Sequence, residues 1–165
     1  MRRLALAIGI ALLAGCGATP TPVDTATAER EILDYLRSTY PAITFDEVVC
    51  PRDVEAEKDA TFVCTAPVGT DTLEIEVTQE DDKGTSITYV PLAAIIQMDQ
   101  AEIQVGGVVA AQFTGEVAVD CGSTPVRVFR PGTTFECRAS DPVGDSKTVR
   151  ATVKDIDGTL EIVVV

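Results

Sequence analysis

Two pairs of cysteines constrain this chain more than any other feature. Cys50 and Cys64 lie 14 positions apart, Cys121 and Cys137 lie 16 apart, and the 165 residues include no histidine. Zinc sites place cysteines about two to four residues apart and often add histidine, so no metal site is expected. Redox-active cysteine pairs are also closely spaced, and nothing here has that spacing.

The surroundings of the two pairs resemble each other. Phe62-Val63-Cys64-Thr65-Ala66 aligns with Phe135-Glu136-Cys137-Arg138-Ala139, and Pro67-Val68-Gly69 aligns with Pro142-Val143-Gly144. Further on, Leu73, Ile75 and Val77 fall opposite Val149, Ala151 and Val153, and Lys83-Gly84 falls opposite Asp157-Gly158. The pattern predicts a tandem repeat, with copy one at residues 28–91 and copy two at 92–165. Four cysteines allow three pairings, and only pairing within each copy builds the same local structure twice. The expected bonds are therefore Cys50–Cys64 and Cys121–Cys137. Closing loops of about 15 residues stabilises by roughly 3 kcal/mol each through loss of unfolded-state freedom.

Each copy is predicted to open with a helix. In the first, Thr27 is a candidate cap, Glu29 and Glu31 suit the positive end, and Ile32, Leu33, Leu36 and Tyr40 form an apolar stripe ending at Pro41. In the second, Asp99 and Glu102 have capping-box spacing, and Ile103, Ala110 and Phe113 recur on one side of a segment containing Gly106-Gly107. The segment Thr72 to Thr78 alternates strictly, which buries Leu73, Ile75 and Val77 and leaves two glutamates in water. A sheet with one apolar face needs a cover, and the helix stripe provides it. The predicted fold class is α+β: two tandem repeats, each one helix on an antiparallel sheet of about four strands, with one disulfide per repeat.

The N-terminus carries a different signal. Met1-Arg2-Arg3 supplies positive charge, and Leu4 to Leu13 is an apolar run of ten residues, too short to span a bilayer as a helix. The run ends in Leu13-Ala14-Gly15-Cys16, which resembles the bacterial lipobox. The resemblance implies cleavage of a leader at residues 1–15, a diacylglycerol thioether on Cys16 and an extracytoplasmic, membrane-anchored protein. Residues 16–27 then read as a tether rich in proline and threonine. The formal charge is −13, and loss of Arg2 and Arg3 leaves 11 bases against 26 acids. Scattered bases in such an excess of acid exclude nucleic acid as a partner.

The lipobox, the Val48-Val49-Cys50-Pro51 step and Ala60-Thr61-Phe62-Val63-Cys64 together resemble domain of unknown function 4333, an actinobacterial family of secreted or lipid-anchored proteins with a paired cysteine framework. The resemblance covers most of residues 28–165. Copy two departs from it at Gly122, where copy one has Pro51, and copy one departs at Asp59, where copy two has Gly132. The family implies no activity.

Catalytic patterns are missing from the sequence. Without histidine there is no Ser-His-Asp or Cys-His unit, and neither a nucleophile elbow, a phosphate loop nor a dinucleotide fingerprint occurs. Carboxylate pairs alone do not make a glycosidase, which also needs an aromatic-lined cleft, and the chain has no tryptophan. Glu80 to Gly84 and Asp155 to Gly158 read as hairpin turns and do not continue into a calcium-binding loop. Pro91 to Ile96, the most apolar stretch after the leader, is expected to pack between the repeats. No cofactor is expected. The expected function is a non-catalytic envelope module that binds a protein or a cell-wall component and is held to the membrane by the lipid. One alternative is a secreted inhibitor with the tandem helix-and-sheet architecture of β-lactamase inhibitory proteins, which needs an exposed aromatic anchor such as Phe129. A carrier for an apolar ligand is the other, and it requires a cavity.

Overall fold

The computed structural model describes residues 22–113 and 115–165. The order of elements is α1 (Thr25–Thr39), β1 (Thr61–Val68), β2 (Asp71–Gln79), β3 (Ile87–Pro91), β4 (Ala94–Gln97), α2 (Met98–Val109), a 3-10 turn (Ala110–Gln112), β5 (Ala118–Asp120), β6 (Val126–Phe129), β7 (Thr134–Ser140), β8 (Ser146–Val153) and β9 (Leu160–Val164). The strands form a β1-β2-β3 sheet, a β4-β6 ribbon and a β5-β7-β8-β9 sheet. All pairings are antiparallel, and the fold class is α+β.

Helix α1 forms because its apolar residues recur at helical spacing and its first turn is capped. Ala28, Ile32 and Leu36 are buried against Cys64, Ala66, Leu73, Ile75 and Val77 of β1 and β2. The helix starts within the span read as tether, since Asp24 rather than Thr27 is the cap and accepts the Thr27 N–H at 3.2 Å. In β2, Leu73, Ile75 and Val77 face the core, as strict alternation requires.

Helix α2 differs from its expected form. Gln97 occupies the N-cap position and makes no side-chain capping bond, while Asp99 accepts the N–H of Gln100. Glu102 does not reach back to close a capping box, because its Oε1 accepts the Cys121 N–H at 2.9 Å. The buried stripe is Met98, Ala101, Val105 and Val109, which leaves Ile103 67% exposed. Counting the stripe from Ile103 therefore put it on the wrong side of the helix.

The two halves share a bonding pattern, consistent with two repeats. Glu29 accepts the Cys50 N–H at 3.0 Å just as Glu102 accepts that of Cys121. The bridge of Val49 with Thr65 matches the pairing of Asp120 with Arg138. Two differences from the sequence alignment follow from strand register. Cys64 faces Ile75 and Cys137 faces Val149, so Ile75 matches Val149 and Leu73 does not. The Pro-Val-Gly match misled because Pro67 lies inside β1, whereas Pro142 lies in the longer turn between β7 and β8. The first sheet also has three strands rather than about four. The Arg37 guanidinium donates twice to the Phe45 carbonyl, at 3.0 and 2.8 Å, and so holds the segment before Cys50 to α1. Beside β1 that segment makes only the Val49 bridge.

The stretch from Pro91 to Ile96 joins the halves. Ile95 on β4 and Val126 and Val128 on β6 pack on the first core, whereas Ala94, Ile96 and Phe129 belong to the second. A ribbon buried on both faces reads in sequence as a continuous apolar run rather than an alternating one. Its β6 strand is tied to the first half through Asp71, which accepts the Val128 N–H at 2.9 Å and Arg127 Nε at 2.8 Å, and through an ion pair between Arg130 and Glu74. Partial burial alone would raise the pKa of Asp71, but the Val128 N–H and the Arg127 guanidinium hold it below its ordinary 3.8. A carboxyl with a depressed folded-state pKa stabilises fully above its unfolded pKa and loses that contribution as pH falls toward the folded value. The stability difference between wild type and Asp71→Asn, from urea unfolding, is therefore expected to be constant above about pH 5 and to shrink as pH falls below that.

Candidate binding groove

The N-terminal end of α1, the strand-like residues before it and the β2–β3 turn enclose a groove of about 350 Å³. Each wall has a local cause. The bond from the Val23 N–H to Val54 and the bridge of Pro22 with Glu55 anchor the approach to the helix. Asp24 caps the helix and also accepts the Thr27 hydroxyl at 2.7 Å. These bonds from the Thr27 hydroxyl and N–H hold the Asp24 carboxyl below its ordinary pKa. In the turn, Asp81 accepts the N–H groups of Lys83 and Thr85 at 2.9 and 3.0 Å and the Thr85 hydroxyl at 2.6 Å. Led by the Thr85 hydroxyl, this set lowers the Asp81 pKa as well.

Val23, Ala28 and Ile87 make the groove apolar inside, and Glu31 and Lys83 bring opposite charges to its lining. Gly84 closes one end. Its φ is +63°, and a Cβ there would lie 2.7 Å from Val23 Cγ2, so this position requires glycine. The second half repeats the arrangement. Ile96, Ala101, Gly158 and Leu160 stand where Val23, Ala28, Gly84 and Ile87 stand in the first, and Gln104 replaces Glu31. The second groove is only about 140 Å³. In both halves the turn glycine abuts the residue before the helix cap, since a Cβ at Gly158 would lie 2.9 Å from Ile96 Cδ1 and one at Gly84 2.7 Å from Val23 Cγ2.

The residues singled out from sequence are distributed differently. Disulfides join Cys50 to Cys64 and Cys121 to Cys137, as expected. Cys50, Cys64 and Cys137 are buried in the two cores. Disulfides form and persist in oxidising compartments, so they point to an extracytoplasmic location. Among the described residues no helix is long and apolar enough to cross a membrane. Cys16 and the leader lie outside the described residues. Phe129 does not serve as an exposed anchor: it is 7% exposed and stacks on Phe135 with ring centroids 5.0 Å apart. Pairing with Ala94 turns it into the second core, a placement hidden while its segment read as a loop between cysteines. The groove is not legible in the sequence because its residues come from two segments, 22–31 and 83–87, that are distant along the chain. The only local hint was the recurrence of an aspartate three residues before Gly84 and again before Gly158.

Two measurements check this geometry. Gly84→Ala is expected to destabilise by about 1–3 kcal/mol from backbone strain alone. It is expected to cost more than Gly158→Ala, because Val23 is short and cannot swing away as the tip of Ile96 can. Phe129→Ala is expected to cost about 3–5 kcal/mol in chemical denaturation, whereas a surface anchor would cost almost nothing.

No curated protein and no solved structure matches the chain. The family model described as domain of unknown function (DUF4333) matches residues 6–84, a span containing α1, both cysteines of the first disulfide, β1, β2 and the turn glycine of the larger groove. Over those residues, just under half of the chain, the sequence is similar to the DUF4333 family.

Proposed function

We propose that this chain is a lipid-anchored, extracytoplasmic binding protein without catalytic activity, built from two tandem units of which the first is the DUF4333 domain. The observation that carries the reading is the recurrence of one groove at corresponding positions of both halves, open in the first and largely filled in the second. A duplicated scaffold that keeps one groove open and fills the other fits a single binding role. The ligand is a protein segment or cell-wall component that places an apolar group against Val23, Ala28 and Ile87.

The leader and lipobox supply the anchor in this reading. Pro22, which lines the groove, is only six residues beyond Cys16, so the groove stays within about 20 Å of the lipidated residue. That reach suits a ligand at the membrane surface. Burial of Phe129 removes the aromatic anchor on which the inhibitor alternative relied.

Two experiments test the proposal. Cys16→Ser is expected to move the protein from the membrane fraction to the soluble one, and mass spectrometry of the wild type is expected to find a lipid on Cys16. Retention of the variant in membranes together with an unlipidated wild type refutes the anchor. In pull-downs from the native envelope, Glu31→Arg is expected to reduce capture of the bound component at least tenfold while the Gln104→Arg control leaves it unchanged. Equal capture by wild type and both variants refutes the groove.

A further inference from the structure

The outer strands of the two sheets present different edges. In an antiparallel ladder alternate residues bond the neighbouring strand, and those between them point their backbone groups away. The Lys154 N–H bonds the Thr159 carbonyl and the Val165 N–H bonds that of Thr148. Glu161 and Val163 therefore bond β8, and the N–H and C=O groups of Leu160, Ile162 and Val164 point outward. On β3 the bonds of Glu80 with Ser86 and of Leu92 with Glu74 likewise turn Ile87, Tyr89 and Pro91 outward. Among the described residues no further strand pairs with either edge.

The edge of the first half is blocked. Pro91 has no N–H to offer, and Tyr35 of α1 packs edge-on against Tyr89 with ring centroids 5.3 Å apart, closing the gap between helix and strand. Since Gln104 stands at the place of Glu31 and Leu160 at that of Ile87, the counterparts of Tyr35, Tyr89 and Pro91 are Val108, Ile162 and Val164. Val108 is 53% exposed, and Ile162 and Val164 are only half-buried. Strand β9 holds no proline and no lysine, the usual guards of an exposed edge, and its single charge is Glu161.

We propose that β9 pairs antiparallel with β9 of a second copy of this chain, about a two-fold axis at Ile162, joining two four-stranded sheets into one. In that register Ile162 meets Ile162 of the second copy and Leu160 meets Val164, so the outward groups of all three residues find partners. Their side chains adjoin on the face that α2 covers. On the other face Glu161 lies opposite Val163, which is 54% exposed. Arg150 pairs with Val163 in its own sheet, so it stands two strand spacings, roughly 10 Å, from Glu161 of the second copy. The two side chains can meet over the valine, and the axis makes this contact of opposite charges twice. An axis at Glu161 would set two glutamates directly opposite each other, and one at Val163 would leave Leu160 facing no described residue. Charge and bonding thus select one self-complementary register. Both copies are acidic overall, and that repulsion together with the short ladder makes the dimer weak and concentration-dependent. The interface is separate from the larger groove, whose residues all lie in the first half.

Sedimentation equilibrium of the full chain in density-matched detergent tests this, with the mass expected to rise from one copy to two as concentration increases. Amide exchange is expected to slow with concentration at Leu160, Ile162 and Val164 and to stay constant at Ile87 and Tyr89. Val163→Glu, at an exposed position, is expected to fold as the wild type does and to weaken association about tenfold by setting glutamate against Glu161 of the second copy. Adding Glu161→Lys to that variant restores opposite charges across the axis and is expected to recover association. Val143→Glu, on the exposed β7–β8 turn, is expected to leave it unchanged. A single copy at all concentrations up to about 1 mM, association indifferent to Val163→Glu, or no recovery in the double variant would overturn the proposal. Protection of the β9 amides only on addition of an envelope extract would also overturn it, by assigning the edge to a strand of another protein.

Discussion

Burial of both faces of the β4–β6 ribbon is the constraint on which the rest of the molecule depends. With Ile95 and Val128 turned to one core and Ala94, Ile96 and Phe129 to the other, the ribbon belongs to neither half alone. Each fully buried aliphatic side chain is worth about 1.5–3 kcal/mol, and none of these groups would stay dry if the halves separated. The bonds from Val128 and Arg127 to Asp71 then fix how β6 lies on β2, since a partly buried polar contact is directional where apolar packing is not. The two halves therefore act as one body rather than as beads on a string.

Within each half, one glutamate and one disulfide set the distance between helix and sheet. The disulfides tie the segment before β1 to β1 and the residue after β5 to β7, and the helix glutamate binds the N–H of the first cysteine. A charge-assisted bond to a backbone donor beside a covalent link leaves the helix little freedom to slide. With the helix held, the space between its first turn and the hairpin turn becomes a feature of the scaffold. Lys83 supplies a cation beside the acids of the first groove, so that site combines an apolar interior with a mixed lining.

Much of this was legible in the sequence by itself. Matched cysteine pairs, strict alternation from Thr72 to Thr78 and the spacing of Ile32 and Leu36 determined the disulfides, the strand faces and the first helix, because each is a short-range pattern with a fixed period. What required long-range pairing was decided only by the tertiary structure. Phe129 faces inward because β6 pairs with a strand some thirty residues earlier. Glu102 binds Cys121 rather than its own helix end because the strand lies within reach, and Ile96 meets Gly158 because the β8–β9 turn folds against it. Local periodicity says which side of an element is apolar; only packing decides what covers that side, and in this chain the grooves follow from that packing.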